Sequence, residues 1–89
     1  MSIIKPASAG TMESSDVYVE IEPSADGVSV YVESIVKAQF GESICASVRE
    51  VLAENDVTNA TVRISDRGAL DCVIRARVET AVVRGKGDL

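Results

Sequence analysis

The side chains of this sequence best suited to chemistry are two adjacent serines, Ser14 and Ser15, which lie between the carboxylates of Glu13 and Asp16. Such a small, polar segment can present a hydroxyl to another protein, and a long group attached there can swing. The chain contains no histidine, so the serines lack the base that usually activates a serine nucleophile. Two interpretations stay open from the residues alone: a polar turn that leads into a strand, or a serine that another enzyme modifies.

The other reactive residues predict neither a metal site nor a catalytic site. Cys45 and Cys72 form no C-x-x-C motif, and without histidine a zinc site would lack ligands. We expect both to be reduced thiols that behave as small buried hydrophobic residues. A group of acidic residues lies near the serines: Glu13, Asp16, Glu20 and Glu22. We interpret this group as a solvated face, or as a docking surface for basic patches of a partner, rather than as a cation site.

Length and composition restrict the function further. The chain has 89 residues, a net charge of −5 and 3% aromatic residues. The acidic charge and the few aromatic rings argue against binding to nucleic acid. No apolar run approaches the roughly 18 residues of a membrane span. We expect a small cytoplasmic domain that is not an enzyme by itself, because its sequence offers no pair of base and nucleophile.

Alternating apolar residues predict the strands that position the serines. Residues 17–22, 28–33 and 60–65 each place an apolar side chain at every second position, which is the period of a half-buried strand. A short segment with Pro and Gly separates the first two strands, and this is typical of a hairpin. In such a hairpin Tyr18 lies opposite Tyr31 on the outer face.

The period changes to that of a helix after the second strand. Apolar residues recur every three or four positions in residues 35–55, at Val36, Phe40, Ile44, Val48, Val51 and Leu52. This spacing predicts an amphipathic helix, and Ser34 is a candidate for its N-cap.

The last segment, residues 69–84, fits either a strand or a helix. The helical stripe consists of Leu70, Val73, Ile74, Arg77, Val78, Ala81 and Val82. The length favours a helix, because strands rarely exceed about ten residues. Asp66 is a candidate cap for this helix, and Arg75 and Glu79 are spaced for an ion pair one turn apart.

Together these elements predict an α+β fold with the order β-β-α-β-α. We expect a small, mainly antiparallel three-stranded sheet that carries two helices on one face, with the third strand beyond the first. Residues 1–89 form a single domain in this interpretation. Residues 1–15 are a flexible arm that bears the serines, and residues 16–84 are the globular body.

Three blocks of the sequence resemble the family of citrate lyase acyl carrier proteins, the gamma subunits of that enzyme. Residues 9–17 read Ala-Gly-Thr-Met-Glu-Ser-Ser-Asp-Val, residues 39–41 read Gln-Phe-Gly, and residues 66–79 read Asp-Arg-Gly-Ala-Leu-Asp-Cys-Val-Ile-Arg-Ala-Arg-Val-Glu. The blocks occur in the family's order and span nearly the whole chain. The Asp-Ser-Leu motif and the four-helix pattern of ordinary phosphopantetheine carriers are absent from the sequence.

The resemblance implies a non-catalytic acyl carrier subunit of citrate lyase. In that family a serine bears, through a phosphodiester, a prosthetic group derived from 2′-(5″-triphosphoribosyl)-3′-dephospho-coenzyme A, and the motif places that serine at Ser14. Many members have Gly after this serine, where the present chain has Ser15. A holo-carrier synthase attaches the group. The thiol of the prosthetic group then carries acetyl or citryl between the alpha subunit (acyl transferase) and the beta subunit (citryl lyase). In this way citrate is cleaved to oxaloacetate and acetate in bacterial citrate fermentation.

Other functions stay open beside this one. A weaker resemblance relates the chain to the carrier subunit of malonate decarboxylase, and a carrier's sequence does not name its acyl group, so citramalate lyase or malonate decarboxylase are alternatives. A noncovalent adaptor domain is a third hypothesis. Arg75 and Arg77 are candidates for contacts with the phosphates of the prosthetic group or with a partner, although they can equally serve surface solubility.

Overall fold

The computed structural model describes residues 2–35 and 37–87, which form four strands and two helices. In chain order the elements are β1 (Ala7–Gly10), β2 (Val17–Pro23), β3 (Val28–Ser34), α1 (Lys37–Glu54), β4 (Ala60–Asp66) and α2 (Asp71–Gly85). The α+β class and the two helices agree with the sequence-based prediction. The sheet differs from it in both the number and the order of its strands.

The sheet is mixed and has the strand order β1-β2-β4-β3. β2 is antiparallel to both of its neighbours, whereas β3 is parallel to β4. α1 packs over β3, and α2 packs beside α1 over β1 and β2. One aliphatic core fills the space between the helices and the sheet, and it includes the alternating residues Val17, Val19, Ile21, Val62 and Ile64.

The predicted hairpin between the second and third strands is wrong, because β4 lies between them. Ala60 at the start of β4 is in register with Pro23 of β2 on one side and with Val28 of β3 on the other. The connection after Pro23 therefore spans two strand spacings, about 10 Å. Tyr18 and Tyr31 consequently do not pair. They lie opposite Ser65 and Arg63 of β4 instead.

The sheet also contains a strand that the sequence did not predict. β1 lies inside residues 1–15, the expected flexible arm, and pairs with β2 from Ala7 opposite Ile21 to Gly10 opposite Tyr18. Its sequence, Ala-Ser-Ala-Gly, lacks the β-branched and aromatic residues that identify strands. The sheet therefore has four strands, and the loop that carries the serines is anchored by a strand at each end.

The residues before β1 are also fixed to the body. The backbone N–H groups of Ile4 and Lys5 donate to the carbonyl of Gly85, at 2.9 and 3.3 Å. Ile3 is buried in the core, while Ile4 is exposed. A Cβ at Gly85 would lie 3.2 Å from the Ile3 side chain, so this glycine permits close packing of the chain start against the end of α2.

The buried faces of the helices agree in most positions with the predicted stripes. Ile44, Val48, Val51 and Leu52 of α1 are buried, as are Ile74, Val78, Ala81 and Val82 of α2. Phe40 and Leu70 are exposed instead, at 51% and 72%. Val36 lies outside the described residues.

One predicted helix cap and the predicted ion pair need correction. Ser34 ends β3, three residues before α1 begins at Lys37, and its hydroxyl donates to Asp66 at 2.7 Å. The Asp66 carboxylate also accepts the N–H of Ala69 at 3.0 Å. It does not cap α2, because the N-cap residue of that helix is Leu70 and, within the described residues, no side chain caps it. Arg75 pairs with Asp71, one turn toward the helix start, rather than with Glu79. In the described part of the chain, neither helix is long and apolar enough to cross a membrane.

Candidate modification site

Ser14 lies in the loop of residues 11–16 that joins β1 to β2. The N–H of Asp16 donates to the carbonyl of Glu13 at 3.1 Å, which closes a four-residue turn around Ser14 and Ser15. Ser15 has a φ of 65°, whereas Ser14 has a negative φ, and this is the pattern of a type II turn. Ser14 therefore occupies the outer corner of the turn, where it is exposed.

The backbone of Ser15 is tied to the connection between β4 and α2. Its N–H donates to the carbonyl of Arg67 at 2.8 Å, and the N–H of Arg67 donates to the carbonyl of Asp16 at 2.9 Å. The positive φ of Ser15 is a conformation that glycine adopts without cost. This requirement explains the glycine that many members of the resembled family have at the position of Ser15.

The carboxylate of Asp16 is the centre of the loop's side-chain contacts. Oδ2 accepts the hydroxyl of Thr11 at 2.6 Å, and Oδ1 accepts the backbone N–H of Val17 at 2.7 Å. The guanidinium of Arg77 donates from Nε to Oδ1 at 3.2 Å and from Nη2 to Oδ2 at 3.0 Å. The bonds from Thr11 and Val17, with a smaller contribution from Arg77, lower the pKa of Asp16 to about 2. A carboxylate held in this way is a poor general base at neutral pH, so Asp16 is not the group that would activate the neighbouring hydroxyl.

Gly10 sets the geometry where the loop begins. Its φ is +92°, and a Cβ at this position would lie 1.8 Å from the carbonyl oxygen of Val17. The adjacent N–H of Thr11 donates to this same oxygen at 3.2 Å. The close approach of the two chains thus requires glycine, which accounts for the Gly in the Ala-Gly-Thr start of the first motif block.

Arg77 and Arg75, both predicted as candidates for phosphate or partner contacts, are engaged within the protein. Arg77 reaches from α2 to Asp16 in the loop. Arg75 pairs with Asp71 at 2.7 Å and with Glu50 of α1. Of these two arginines, Arg77 is the one that contacts the serine loop. Because Asp16 and Arg77 are 61 residues apart in the chain, their contact could not be predicted from the sequence.

The other sequence candidates lie elsewhere. Cys45 is half-buried and Cys72 is exposed, and both are free thiols, so the expectation of a buried residue is wrong for Cys72. Glu22 forms an ion pair with Arg63 at 2.8 Å on the face of the sheet opposite the helices. Within residues 2–35 and 37–87, no group of three potential ligands is arranged to hold a metal ion.

Apolar side chains are exposed at the end of the sheet that carries Ser14. The start of β2 and the ends of β4 and β3 meet there, because Val17, Asp66 and Ser34 are in register. The segments that extend from these points expose four large apolar residues: Met12, Ile35, Phe40 and Leu70. This surface was not predicted from the sequence, because the helical spacing of Phe40 and Leu70 suggested that both side chains are buried.

Comparison with known proteins assigns the chain to a family. A family model described as "ACP: Malonate decarboxylase delta subunit (MdcD)" matches residues 4–85. The chain is 54% identical over 84 residues to the citrate lyase acyl carrier protein of Haemophilus influenzae (strain PittEE), an alignment that covers 94% of this chain and 87% of the relative. It is 52% identical over 85 residues to citrate lyase acyl carrier protein 2 of Salmonella typhimurium, with 94% and 88% covered. The chain belongs to the citrate lyase acyl carrier protein family. The resemblance of the three motif blocks is thereby confirmed, and so is the predicted function of a carrier subunit rather than a catalytic one.

A solved structure supports the same relationship at the level of the fold. A chain in the crystal structure of a Pseudomonas malonate decarboxylase hetero-tetramer in complex with malonate superposes with a TM-score of 0.77 and 26% identity. The superposition covers 92% of the present carrier and 84% of that chain. The fold of this carrier is therefore shared with a chain of the malonate decarboxylase hetero-tetramer.

Proposed function

We propose that Ser14 is the residue to which the prosthetic group of this carrier is attached, as a phosphodiester of phosphoribosyl-dephospho-coenzyme A. The observation that supports this assignment is the position of Ser14 at the exposed corner of a turn whose other residues are tethered. Its neighbour Ser15 has its N–H bound to Arg67 and a strained positive φ. Only Ser14 combines exposure with the motif position of the family's modified serine.

The residues of the loop fit a group that a separate enzyme attaches. A bulky substituent on the Ser14 oxygen would extend into solvent, because Glu13, Ser14 and Ser15 are all exposed. Asp16 is not free to act as a base, since both of its oxygens accept hydrogen bonds. A holo-carrier synthase would bind the loop and catalyse the attachment.

In the loaded carrier, the group supplies a thiol that holds an acetyl or citryl residue as a thioester. The role of the protein chain is to keep the attachment point fixed and accessible, while the attached arm reaches two active sites in turn. Tethering raises the local concentration of the acyl group at both sites. We infer that these sites belong to the alpha subunit, an acyl transferase, and the beta subunit, a citryl lyase, which together cleave citrate to oxaloacetate and acetate. The two free thiols of the chain agree with a reducing, cytoplasmic location.

The test is the intact mass of the full chain from citrate-fermenting cells, with peptide mapping of residues 1–22. We expect the wild type and Ser15→Gly to carry the mass of the prosthetic group, because glycine keeps the turn and removes only the second hydroxyl. Ser14→Ala is expected to remain unmodified and to be inactive in the complex while keeping its fold. If Ser14→Ala carried the prosthetic group and Ser15→Gly did not, the attachment site would be Ser15. An unmodified wild type would favour a noncovalent adaptor.

The carrier of malonate decarboxylase is the alternative that a specific observation favours, namely the shared fold with a TM-score of 0.77. The acyl group distinguishes the two functions. A citrate lyase carrier is reloaded with acetyl and turns over citrate with its alpha and beta subunits, whereas a decarboxylase carrier would be charged with malonyl. Mass analysis of the thioester on the isolated carrier, in cells given citrate or malonate, decides between them.

A further inference from the structure

We propose that Arg77 is a positioning residue for attachment at Ser14: from α2 it holds Asp16 and thereby keeps the serine turn in the form that the attaching enzyme binds. The inference rests on the proposed function of Ser14. It assigns a role to a residue whose position in the sequence suggested a phosphate contact, a partner contact or surface solubility alone.

A continuous series of hydrogen bonds leads from α2 to the serine turn. Arg77 donates two hydrogen bonds to the Asp16 carboxylate, one to each oxygen. The oxygen that accepts Nη2 also accepts the hydroxyl of Thr11 at 2.6 Å. The Thr11 oxygen in turn accepts the backbone N–H of Glu13 at 3.2 Å. The series therefore ends at the residue directly before Ser14.

The helix provides the rigid side of this arrangement. The neighbours of Arg77 on α2, Val78 and Ala81, are fully buried in the core, so the backbone from which Arg77 extends is fixed. The Asp16 side chain is only 15% exposed, against 42% for Arg77. A two-bond contact between guanidinium and carboxylate restricts both distance and angle, and it adds a side-chain contact to the backbone bonds that join the loop to Val17 and Arg67.

The attachment step shows why this shape matters. The Ser14 oxygen forms a bond to the phosphorus nearest the ribose of the triphosphoribosyl donor, and the bond from that phosphorus to the next phosphate breaks. Pyrophosphate leaves, and the hydroxyl proton passes to a base of the synthase. Such a displacement needs the attacking oxygen in line with the leaving group, and misplacement by about 1 Å can cost roughly a hundredfold in rate.

The experiment compares Arg77→Gln with Arg75→Gln in the full chain. Arg75 is a matched control, because it lies on the same helix, also pairs with an aspartate and joins α2 to α1 instead of the loop. Each unmodified variant is incubated with purified holo-carrier synthase and the triphosphoribosyl-dephospho-coenzyme A donor, and attachment is followed by intact mass. The assay is run well below the unfolding midpoint of each variant, which is measured separately.

We expect Arg77→Gln to lower kcat/KM for the carrier by about tenfold or more, with the KM for the donor unchanged. For Arg75→Gln, kcat/KM is expected to stay within about twofold of the wild-type value. This should hold even if its unfolding midpoint falls by as much as that of Arg77→Gln. Arg77→Lys, which keeps the charge but cannot make the paired contact, should recover only part of the loss. In a double-mutant cycle, Asp16→Asn should add little to Arg77→Gln.

Three results would overturn the inference while leaving Ser14 as the attachment site. The first is equal rates for Arg77→Gln and Arg75→Gln. The second is a raised KM for the donor with an unchanged KM for the carrier, which would make Arg77 a phosphate contact. The third is additivity of Asp16→Asn and Arg77→Gln. Failure of the proposed function looks different, because the wild type would then remain unmodified or Ser14→Ala would be modified as fast as the wild type.

Discussion

Two clusters on α2 have the same chemistry and different consequences. In the loop cluster, the hydroxyl of Thr11 donates to Asp16, which pairs with Arg77. In the helix cluster, the hydroxyl of Ser47 donates to Asp71, which pairs with Arg75. In each, the hydroxyl is the largest cause of a lowered pKa for the aspartate.

The difference lies in what each cluster holds. The helix cluster joins α1 and α2, which already have their own backbone hydrogen bonds and buried faces. The loop cluster holds residues 11–16, whose backbone hydrogen bonds are the one that closes the turn, from Asp16 to Glu13, and those with Val17 and Arg67. We infer that the helix cluster contributes only to stability, whereas the loop cluster determines the shape of a site. Matched substitutions in the two clusters separate these effects.

The largest effect is expected from Gly10→Ala, which disrupts the start of the loop. The new Cβ would lie 1.8 Å from the Val17 oxygen, at a φ of +92°. We expect destabilisation of about 2–3 kcal/mol, at the upper end of backbone strain, together with a strong loss of attachment at Ser14. Urea unfolding measures the first and intact mass the second. Gly27→Ala is the control, because its φ is +88° but no atom lies within 4 Å, and it should cost about 1 kcal/mol without affecting attachment.

The next effect is expected from removing the two aspartates. Asp16→Ala takes away the acceptor shared by Thr11, Val17 and Arg77, and we expect attachment by the synthase to slow by about tenfold or more. Asp71→Ala removes the corresponding acceptor between the helices and should change the attachment rate by less than about twofold. Equal losses in the two variants would show that general destabilisation, rather than loop shape, limits attachment.

A smaller effect is expected from the hydroxyls. Ser47 is buried and its hydroxyl donates to Asp71, so Ser47→Ala should cost about 1 kcal/mol in unfolding free energy and leave attachment unchanged. Thr11→Val removes the bond to Asp16 in an exposed loop, so its cost in stability should be smaller. Its attachment rate should nevertheless fall below that of Ser47→Ala. The reverse order of rates would contradict the separation of the two clusters.

The sequence predicted those parts of the molecule that depend on local periodicity. β2 and β4 alternate because one face of each is buried, as with Val19 and Val62, and α1 and α2 follow the helical spacing of Val48 and Val78. The order of the strands depends on pairing between distant residues. The insertion of β4 between β2 and β3 leaves no mark in the alternation of any of them.

The candidate site was predictable only in part. Ser14 was proposed through a family motif, since nothing in its residue type separates it from Ser15. The small residues of β1 give no strand signal, and Asp16 and Arg77 are brought together only by the packing of α2 against β1 and β2. Phe40 has helical spacing yet lies exposed. The spacing identifies which face of the helix is apolar, but it does not show at which residue along that face the buried core ends.

The smallest expected effect is the response of the two clusters to acid. The pKa of Asp16 is lowered from 3.8 to about 2, so its ionised form is favoured by the folded state. This contribution to stability is complete above pH 3.8 and is lost as the pH falls through about 2.

The free energy of unfolding of the wild type should therefore exceed that of Asp16→Asn above pH 3.8, and the two should converge as the pH approaches 2. Urea unfolding between pH 5 and about 2 measures this convergence. Asp71→Asn provides the comparison, because the pKa of Asp71 is lowered in the same direction by Ser47 and Arg75. A gap between wild type and Asp16→Asn that stays constant down to pH 2 would mean that the carboxylate's charge does not hold the loop, and the bonds from Thr11 and Val17 alone would then account for its shape.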